Sequence, residues 1–507
     1  MADSGHDHVI RPRVRLTEAL AREDRQGRAA RFLRSPVRCR HHLAEAAGHD
    51  RAPTLGEQAA DLLRSRFPLG PAADDGDLPW HGLMVCLLLM ATRHAAGGTL
   101  ILGGGFAGAW VARLLGRRQA AVVGRENFML FTPLLPEAAS GSLEPRHVVV
   151  PLRQMCPHAE LVLGEIEVLD EDAHAVQVVT DAGRLELRYE RLVVALGSIS
   201  RALPVPGLAE HAMGFKDLAD AIALRNHVLR RLEAAVVAPD PGAAERELTF
   251  VFVGAGYAGV EALAELELLV EDALRYYAPL RNLRRRWILV DAAPTILPEI
   301  PSDLGAYAAR ELERRGVEIH VSTTLGSYDG QVAVLSSGDR IPTRTLVWTA
   351  GVRANPVLGT LGFPLDERGR VRVDSTLRVE GRENVWALGD CAAVPNQKTG
   401  TIDPPTSQHA LRQARRLARN LQGDEKPYGY RMLGQVATLG RHRGIAEVLG
   451  VHLRGFPGWW VTRTYHLFQL PLFSRKLRVV ADWTVALFFR RDIAELSMLG
   501  HPRRLEP

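Results

Sequence analysis

The sequence predicts an α/β fold with two Rossmann-like dinucleotide-binding domains. Apolar runs typical of buried strands alternate with segments whose apolar residues recur at helical spacing, which indicates a parallel sheet covered by helices. A glycine-rich turn follows an apolar run at residues 100–110, LILGGGFAGAW, and a near copy occupies residues 250–261, FVFVGAGYAGVE. The repetition of the same turn indicates two domains of the same kind.

Seven apolar runs are predicted to form strands. They are TLIL at 99–102, AAVV at 120–123, LVVAL at 192–196, LTFVFV at 248–253, WILV at 287–290, TLVWTA at 345–350 and VWAL at 385–388. The segments ALRNHVLRRLEAAV at 223–236 and LGAYAARELERRG at 304–316 are predicted helices, because their apolar residues repeat every three or four positions. The stretch APDPGAAERE at 238–247 is predicted as a linker, since prolines and a glycine interrupt both patterns.

The first glycine turn has the spacing GxGxxG, formed by Gly103, Gly105 and Gly108 between a strand and a helix. The first glycine permits a tight turn, the second lets the backbone approach a pyrophosphate, and the third permits close packing of strand and helix. The helix N-terminus adds N–H donors and partial positive charge. Such folds usually place an acidic residue at the end of the second strand. Here that strand is followed by Gly124, so Glu126 or backbone groups are the candidates for the ribose contact.

The second glycine turn repeats the spacing with Gly254, Gly256 and Gly259. The strand WILV is followed by Asp291, whose carboxylate can accept the ribose 2′-hydroxyl of NADH and would repel the 2′-phosphate of NADPH. NADH is therefore the predicted nucleotide. The segment 260–286 between the turn and this strand is predicted to be one long helix.

Two dinucleotide turns in one chain are best explained by two dinucleotides. We expect FAD in the first domain and NADH, as co-substrate, in the second. The flavin would accept a hydride from the nicotinamide, while the protein orients the two rings and excludes water.

Six segments that occur in order carry a resemblance to a known family. They are GGGFAGAWVARLLG, FMLFTPLLPEAASGSLEPRHVVVPLR, LVVALGS, VGAGYAGVEALAEL, LVWTAGVRANP and VWALGDCA. Together they resemble the type II NADH:quinone oxidoreductases, single-subunit flavoenzymes of the two-dinucleotide-binding superfamily. The resemblance covers residues from about 98 to about 490. It implies transfer of hydride from NADH to FAD and of two electrons to a membrane quinone, without proton pumping.

The resemblance also implies cofactor contacts: Thr132 and Pro133, Ala195 and Gly197, and Gly389 and Asp390. The Asp390 carboxylate would bind the ribityl or pyrophosphate region of FAD. The implied position of Glu261 is near the nicotinamide and flavin rings. As an alternative, Glu261 and Glu265 stand four residues apart on one helix face and could simply be solvated.

Members of the resembled family carry two glutamines, four residues apart, on a helix beside the flavin. Gln408 of TSQHALRQA matches the first, but the second position holds Arg412, and Gln413 is shifted by one residue. One residue turns a side chain about 100° around a helix, so Gln413 cannot replace the second glutamine. Gln408 is therefore the candidate contact to the quinone or the flavin. Arg412 could donate to a quinone oxygen, or it could lie outside the site and face solvent. His409 is a possible proton donor, although an isolated histidine on a helix is more often packed or exposed.

The C-terminal region combines aromatic and basic residues, as membrane-surface segments do. Its aromatic residues between 456 and 491 include Trp459, Trp460, Tyr465, Phe468, Phe473, Trp483, Phe488 and Phe489, and its cations are Arg463, Arg475, Lys476, Arg478, Arg490 and Arg491. We expect this region to bind peripherally to anionic lipid, with its tryptophans inserted into the membrane. Removal of residues from about 456 onward is expected to leave electron transfer to a soluble dye largely intact. A dimer interface or a packed tail is the alternative.

Composition excludes several classes. No apolar run reaches the 18 residues of a membrane span. The sequence also lacks the long Lys/Arg stripe that is typical of nucleic-acid-binding proteins. The cysteines Cys39, Cys86, Cys156 and Cys391 form no CxxC pair, which argues against disulfides and metal sites. A sulfide-oxidising role for Cys391 would need a cooperating cysteine, so a small buried role is expected for it and for Cys156.

The predicted organisation is an N-terminal extension at 1–97, an FAD-binding domain at 98–215 and 351–425, an NADH-binding domain at 216–350, and a membrane-associating region at 426–507. The extension is expected to be weakly ordered, with Met90 as an alternative start. The predicted location is the cytoplasmic face of the cell membrane, and a homodimer is compatible with the sequence. Two other functions remain open: reduction of a soluble electron carrier, and low-turnover sensing of NADH.

Overall fold

The computed structural model describes residues 91–495. Within these, residues 93–180 and 187–495 form one compact unit. The predictions for the N-terminal extension up to residue 90, including the alternative start and the first two cysteines, lie outside the described residues. So do those for residues 496–507.

The secondary structure follows in chain order. Up to residue 236 the strands are β1 (Ala91–His94), β2 (Thr99–Leu102), β3 (Ala121–Gly124), β4 (Phe128–Leu130), β5 (Val149–Pro151), β6 (Glu160–Leu163), β7 (Glu165–Asp170), β8 (Ala175–Thr180), β9 (Gly183–Arg188), β10 (Arg191–Val194), β11 (Ser198–Ser200) and β12 (Met213–Gly214). The helices are α1 (Phe106–Leu115), α2 (Leu135–Ala139), α3 (Leu152–Met155), α4 (Leu208–His211) and α5 (Leu218–Val236).

From residue 237 to 425 the strands are β13 (Thr249–Val253), β14 (Arg286–Val290), β15 (Val317–His320), β16 (Leu325–Tyr328), β17 (Val332–Leu335), β18 (Arg340–Pro342), β19 (Thr345–Trp348), β20 (Val352–Ala354), β21 (Val371–Arg372), β22 (Val385–Ala387), β23 (Ala392–Ala393), β24 (Pro395–Asn396) and β25 (Thr401–Ile402). The helices are α6 (Pro241–Glu247), α7 (Tyr257–Ala273), α8 (Ser302–Arg314) and α9 (Ser407–Asn420). The remaining elements are β26 (Gly434–Thr438), β27 (Gly444–Val448), β28 (Val451–Arg454), α10 (Gly455–Gln469) and α11 (Phe473–Phe488).

Two parallel five-stranded sheets form the framework. The first has the order β22-β10-β2-β3-β6, and the second has the order β12-β19-β13-β14-β15. In the first sheet Ile101 lies between Val122 and Val193 in register. Strands β2 and β13 are buried along their whole length, and burial on both faces explains why they are uninterrupted apolar runs. All seven predicted strand runs lie in these two sheets, so the predicted fold class is confirmed.

The two sheets interrupt each other along the chain. Strand β22 of the first sheet comes later in the sequence than every strand of the second sheet, as expected if the FAD domain is interrupted by the NADH domain. The second takes β12 from Met213–Gly214, just before the predicted boundary at residue 215. The domain boundaries themselves stay predictions.

Two local predictions were wrong. The stretch 238–247 contains helix α6, because Asp240 caps it by accepting the Ala243 N–H and Pro241 occupies its first turn, where a missing N–H costs nothing. The helix predicted over 260–286 ends at Ala273. A 3-10 turn at Ala278–Leu280 follows, and its Pro279 cannot continue an α-helix.

The C-terminal region packs on the second domain. Strand β27 contributes Ile445 to the same buried cluster as Phe250 of β13 and Leu263 of α7. In the described part of the chain, no helix is both long and apolar enough to cross a membrane.

Candidate functional site

The first glycine turn has the shape that a pyrophosphate needs. Gly103 lies at φ +111°, and a Cβ on Gly108 would overlap its carbonyl oxygen, so both positions require glycine. Gly105 differs, because a Cβ there would meet nothing within 4 Å. It is the N-cap residue of α1, so the open space lies in front of a helix N-terminus. This cradle fits the pyrophosphate of FAD.

The second turn repeats this geometry. Gly254 also lies at φ +111°, a Cβ on Gly259 would overlap the Gly254 carbonyl oxygen, and Gly256 faces open space as the N-cap of α7. Asp291 follows β14, and its carboxylate accepts the backbone N–H groups of Ala255 and Ala293. The carboxylate is therefore fixed beside the cradle, where a ribose would lie.

Among the other predicted cofactor residues, Ala195 packs directly against the first glycine turn. Ala195 donates its N–H to the Leu102 carbonyl at 2.8 Å, and a Cβ on Gly103 would overlap the Ala195 carbonyl oxygen. Gly197 adopts φ +64°. Thr132 and Pro133 lie in a 3-10 turn that leads into α2. Glu126 is exposed, two residues beyond the end of β3.

Asp390 has two partners that the sequence did not reveal. Ser198 Oγ donates to its carboxylate at 2.6 Å. Lys216 Nζ lies 3.8 Å from the same carboxylate and donates to Ser198 Oγ at 3.1 Å. Gly389, at φ +75°, donates its N–H to the Gln413 side chain at 2.8 Å. Ser198 stands in the quoted LVVALGS segment, whereas Lys216 had no motif that could have identified it.

Glu261 is buried and not solvated. Its carboxylate accepts the Thr438 N–H at 2.8 Å, and only 6% of the residue is exposed. Burial raises its pKa to about 8, with the nearby Glu137 and Glu265 adding to the shift against the Thr438 hydrogen bond. Glu261 is therefore mostly uncharged at neutral pH. The solvated alternative is wrong for Glu265 too, which is 1% exposed.

Two arginines from the C-terminal region neutralise this group of acids. Arg463 of α10 donates to Glu137 at 3.0 Å, and the Trp483 indole N–H donates to the same oxygen at 2.6 Å. Arg491 donates to Glu265 at 2.8 Å and pairs with Asp272 at 3.1 Å. These contacts were missed, because nothing local in the sequence joins residues so far apart.

These contacts correct the expected roles of the C-terminal region. Trp459 is 7% exposed and Trp483 is partly buried against Glu137, so only Trp460, 57% exposed, is available for insertion among the three tryptophans. Arg463 and Arg491 serve buried carboxylates and are not free for lipid. From residue 456 to residue 495, the exposed large apolar side chains are Phe456, Trp460, Phe468, Phe473, Leu477, Val480, Val485, Leu487, Phe488 and Phe489.

Gln408 and Arg412 lie on one face of α9, against Tyr430. The Tyr430 hydroxyl is 3.5 Å from the Gln408 oxygen, and the Arg412 guanidinium lies 5.1 Å from the centre of the Tyr430 ring. Gln413 points inward, with its amide donating to Asp403 at 3.0 Å. The one-residue shift therefore separates Gln413 from the other two, as helix geometry requires.

His409 is packed and paired. It is 5% exposed, its Nδ1 lies 2.7 Å from Thr406 Oγ1, and its Nε2 lies 3.5 Å from Asp403. Burial lowers its pKa, and the neighbouring Asp403 opposes that shift. The remaining two cysteines, Cys156 and Cys391, are buried as expected, and burial raises each thiol pKa to about 11.

Two parallel-sheet domains, each with an open glycine cradle at a helix N-terminus, define a two-dinucleotide oxidoreductase. Residues 98–414 match the model of the pyridine nucleotide-disulphide oxidoreductase family. A probable NADH dehydrogenase of Dictyostelium discoideum is 31% identical over 74% of this chain and 85% of its own length. The type II NADH:quinone oxidoreductase Ndh of Mycobacterium tuberculosis is 30% identical over 77% of this chain and 88% of its own length.

A solved structure has the same fold. NDH2 of Plasmodium falciparum in complex with NADH superposes with a TM-score of 0.74 at 16% identity, over 78% of this chain and 99% of that one. The chain belongs to the pyridine nucleotide-disulphide oxidoreductase family, and within it to the type II NADH:quinone oxidoreductases.

Proposed function

We propose that this chain oxidises NADH, with FAD as its bound cofactor, and reduces a quinone held in a membrane. The observation that carries this proposal is the pair of matching glycine cradles, each open in front of a helix N-terminus, in a chain of this family. FAD would supply the redox chemistry, which the side chains of the protein lack.

The chain's own part begins with binding the two nucleotides. The Gly105 and Gly256 cradles offer backbone N–H groups to the two pyrophosphates. Asp390, held by Ser198, would accept a ribityl hydroxyl. Asp291 would accept the ribose 2′-hydroxyl of NADH, and its negative charge would oppose the 2′-phosphate of NADPH.

Glu261 gives the helix of the second cradle a buried titratable group. It is the fifth residue of α7, whose N-cap Gly256 belongs to the second cradle. Because its pKa lies near 8, it carries a proton at neutral pH that it can donate. We assign it to proton supply during reduction of the acceptor.

The acceptor side is formed by Gln408, Arg412 and Tyr430. The two side chains of α9 place an amide and a guanidinium beside one phenol ring. Amide and guanidinium N–H groups donate to carbonyl oxygens, which a quinone supplies. Arg412 adds a positive charge that would favour the reduced, more negative acceptor.

A membrane-held quinone requires the enzyme to reach the bilayer. The exposed apolar side chains of α10 and α11 include Trp460, Phe468 and Phe473, and Arg478 lies exposed nearby on α11. Aromatic residues favour the headgroup level and cations attract anionic lipid. We propose peripheral binding through these two helices, at the cytoplasmic face of the cell membrane.

An acceptor comparison tests the function. The purified protein is titrated with NADH while flavin absorbance is followed, and turnover is then measured with a short-chain quinone and with a ferredoxin-type carrier. We expect the flavin bands to bleach and turnover to be faster with the quinone. Faster turnover with the soluble carrier would indicate that the protein reduces that carrier. Bleaching of the flavin with negligible turnover would indicate that the protein senses NADH.

A further inference from the structure

Arg225 is a buried cation without a carboxylate partner. It lies on α5 and is 4% exposed. Its Nη2 donates to the backbone carbonyls of Asp492 at 2.6 Å and Ala494 at 3.3 Å, and among residues 91–495 no carboxylate oxygen lies within 4.0 Å of it. Its Nη1 has no hydrogen-bond partner in the described part of the chain. Arginine is almost never this buried unless it is paired.

Arg225 lines a cavity of about 370 Å³ beside α11. Two other buried donors without a partner among the described residues belong to the same cavity lining, the Trp459 indole N–H and the Arg463 Nε. Trp459 is 7% exposed. Unpartnered buried donors are rare in folded proteins. Three residues of one cavity lining therefore carry a buried N–H group that an acceptor oxygen of a ligand would satisfy.

The charge of the cavity lining is positive. Its cations are Arg225, Arg441, Arg463, Arg490 and Arg491, and its acids are Glu144, Asp482 and Asp492. Asp482 is already engaged by His147 at 2.6 Å. Arg463, Arg490 and Arg491 pair with Glu137, Asp272 and Glu265, which lie outside the lining. Arg225 and Arg441 are the lining arginines that form no ion pair within the described part of the chain, although the Asp492 and Glu144 carboxylates lie near enough to Arg225 to act on its charge.

The cavity also has an apolar side that opens outward. Leu143, Val485, Leu487 and Phe489 line it, and the last three are 55%, 53% and 67% exposed. An anion with an apolar body would place its oxygens toward Arg225 and its hydrocarbon along these residues. A free inorganic anion would contact only the side of the cavity near Arg225 and would leave the apolar side without a ligand.

We propose that this cavity binds the phosphate group of an anionic amphiphile, with Arg225 as the central contact. The donor of Arg225 for this phosphate is Nη1, because Nη2 already serves two backbone carbonyls. A hydrogen bond between a guanidinium N–H and a phosphate oxygen is strengthened by the two charges. This site is separate from both glycine cradles and from Tyr430, and its occupation does not depend on NADH oxidation.

Calorimetry on the full chain with FAD bound tests the proposal, using dihexanoyl phosphatidylglycerol below its micellar concentration. We expect saturable binding that Arg225→Gln weakens at least about tenfold, the loss expected for charge-assisted hydrogen bonds. Arg478→Gln is the matched control, because it removes one exposed cation of α11 that does not line the cavity. We expect that variant to bind within about twofold of the native chain.

Additional titrations identify the source of the phosphate, and a second variant is available if the first one does not fold. Inorganic phosphate and glycerol 3-phosphate are titrated in parallel. If either binds as tightly as the lipid does, the proposal that the ligand is an amphiphile is wrong. Equal lipid affinity of native and Arg225→Gln protein would overturn the site. If Arg225→Gln loses its FAD, Arg441→Gln is tested in its place, because Arg441 lines the cavity from a half-buried position. Native affinity in that variant also counts against the proposal.

Discussion

The Arg463 guanidinium donates to the Glu137 carboxylate at 3.0 Å, with the two side chains 13% and 4% exposed. This contact joins the C-terminal helix α10 to helix α2, which follows the 3-10 turn at Thr132. It also changes how the C-terminal region can be tested. The sequence alone suggested that deleting residues from 456 onward would test membrane binding without affecting the rest of the protein. In the structure, that deletion would leave Glu137 and Glu265 without the arginines that pair with them. We therefore expect that truncation to damage the whole protein.

Arg463→Met should destabilise the protein by about 3–5 kcal/mol, because it leaves the buried Glu137 without a counter-charge. Burial already raises the Glu137 pKa, and Arg463 is the main group opposing that shift. The double variant Glu137→Gln/Arg463→Met should recover much of the loss. Urea unfolding of native, single and double variants measures it, with the exposed Arg478→Met as control. Equal stability of the native and Arg463→Met proteins would refute the argument.

The glycine cradles predict two separable losses. In Gly105→Ala the new methyl enters open space, so the chain should fold but lose FAD, seen as loss of yellow colour at normal solubility. Gly256→Ala should keep FAD and bind NADH more weakly, by roughly tenfold or more if it displaces the pyrophosphate from the helix N-terminus. Absorbance spectra and NADH titration distinguish them.

Gly108→Ala is the matched contrast to Gly105→Ala. Its methyl would overlap the Gly103 carbonyl oxygen, so folding itself should suffer. If Gly105→Ala retained FAD with native affinity, the first cradle would not hold the pyrophosphate.

The parts of the molecule that the sequence predicted well are local. Strands such as β13 and both glycine turns depend on apolar runs and on backbone angles only glycine adopts easily. The Arg463–Glu137 pair joins residues 326 positions apart, and Arg491–Glu265 joins residues 226 apart. No periodicity encodes such contacts. For that reason the sequence assigned these arginines, and the inward-facing Trp459, to the surface.

Glu261 should make stability depend on pH in a defined direction. Its pKa rises from 4.5 to about 8 on folding, so its favourable contribution is complete below about pH 4.5 and is lost as the pH rises through 8. Glu261→Gln keeps an oxygen for the Thr438 N–H without the charge. Relative to this variant, the native protein should lose up to about 1.4 kcal/mol per pH unit across that window. Melting temperatures of both proteins at several pH values measure the difference, and parallel curves would contradict the raised pKa.

Arg412→Gln restores the pair of glutamines four residues apart. If Arg412 contacts the quinone, the variant should change the KM for a short-chain quinone by about threefold to tenfold, the value of one charged hydrogen bond at a partly exposed site. NADH reduction of the flavin should be unchanged, because Arg412 contacts the Tyr430 ring and, among the described residues, makes no hydrogen bond to either glycine turn. Arg419→Gln, in the last turn of the same helix, is the control. An unchanged quinone KM would remove Arg412 from the acceptor site.

The membrane-binding proposal is tested with exposed residues only. Phe468, Phe473 and Phe488 are 76%, 79% and 79% exposed, so replacing all three by serine removes no packing from the core. Each inserted phenylalanine would contribute roughly 1.5–3 kcal/mol, and the triple variant should sediment poorly with phosphatidylglycerol vesicles while oxidising NADH normally with a short-chain quinone. Val237→Ser, at an 81% exposed position beyond α5, is the control for simple loss of surface hydrophobicity. If the triple variant sediments with the vesicles as fully as the native chain, these two helices do not carry the membrane contact.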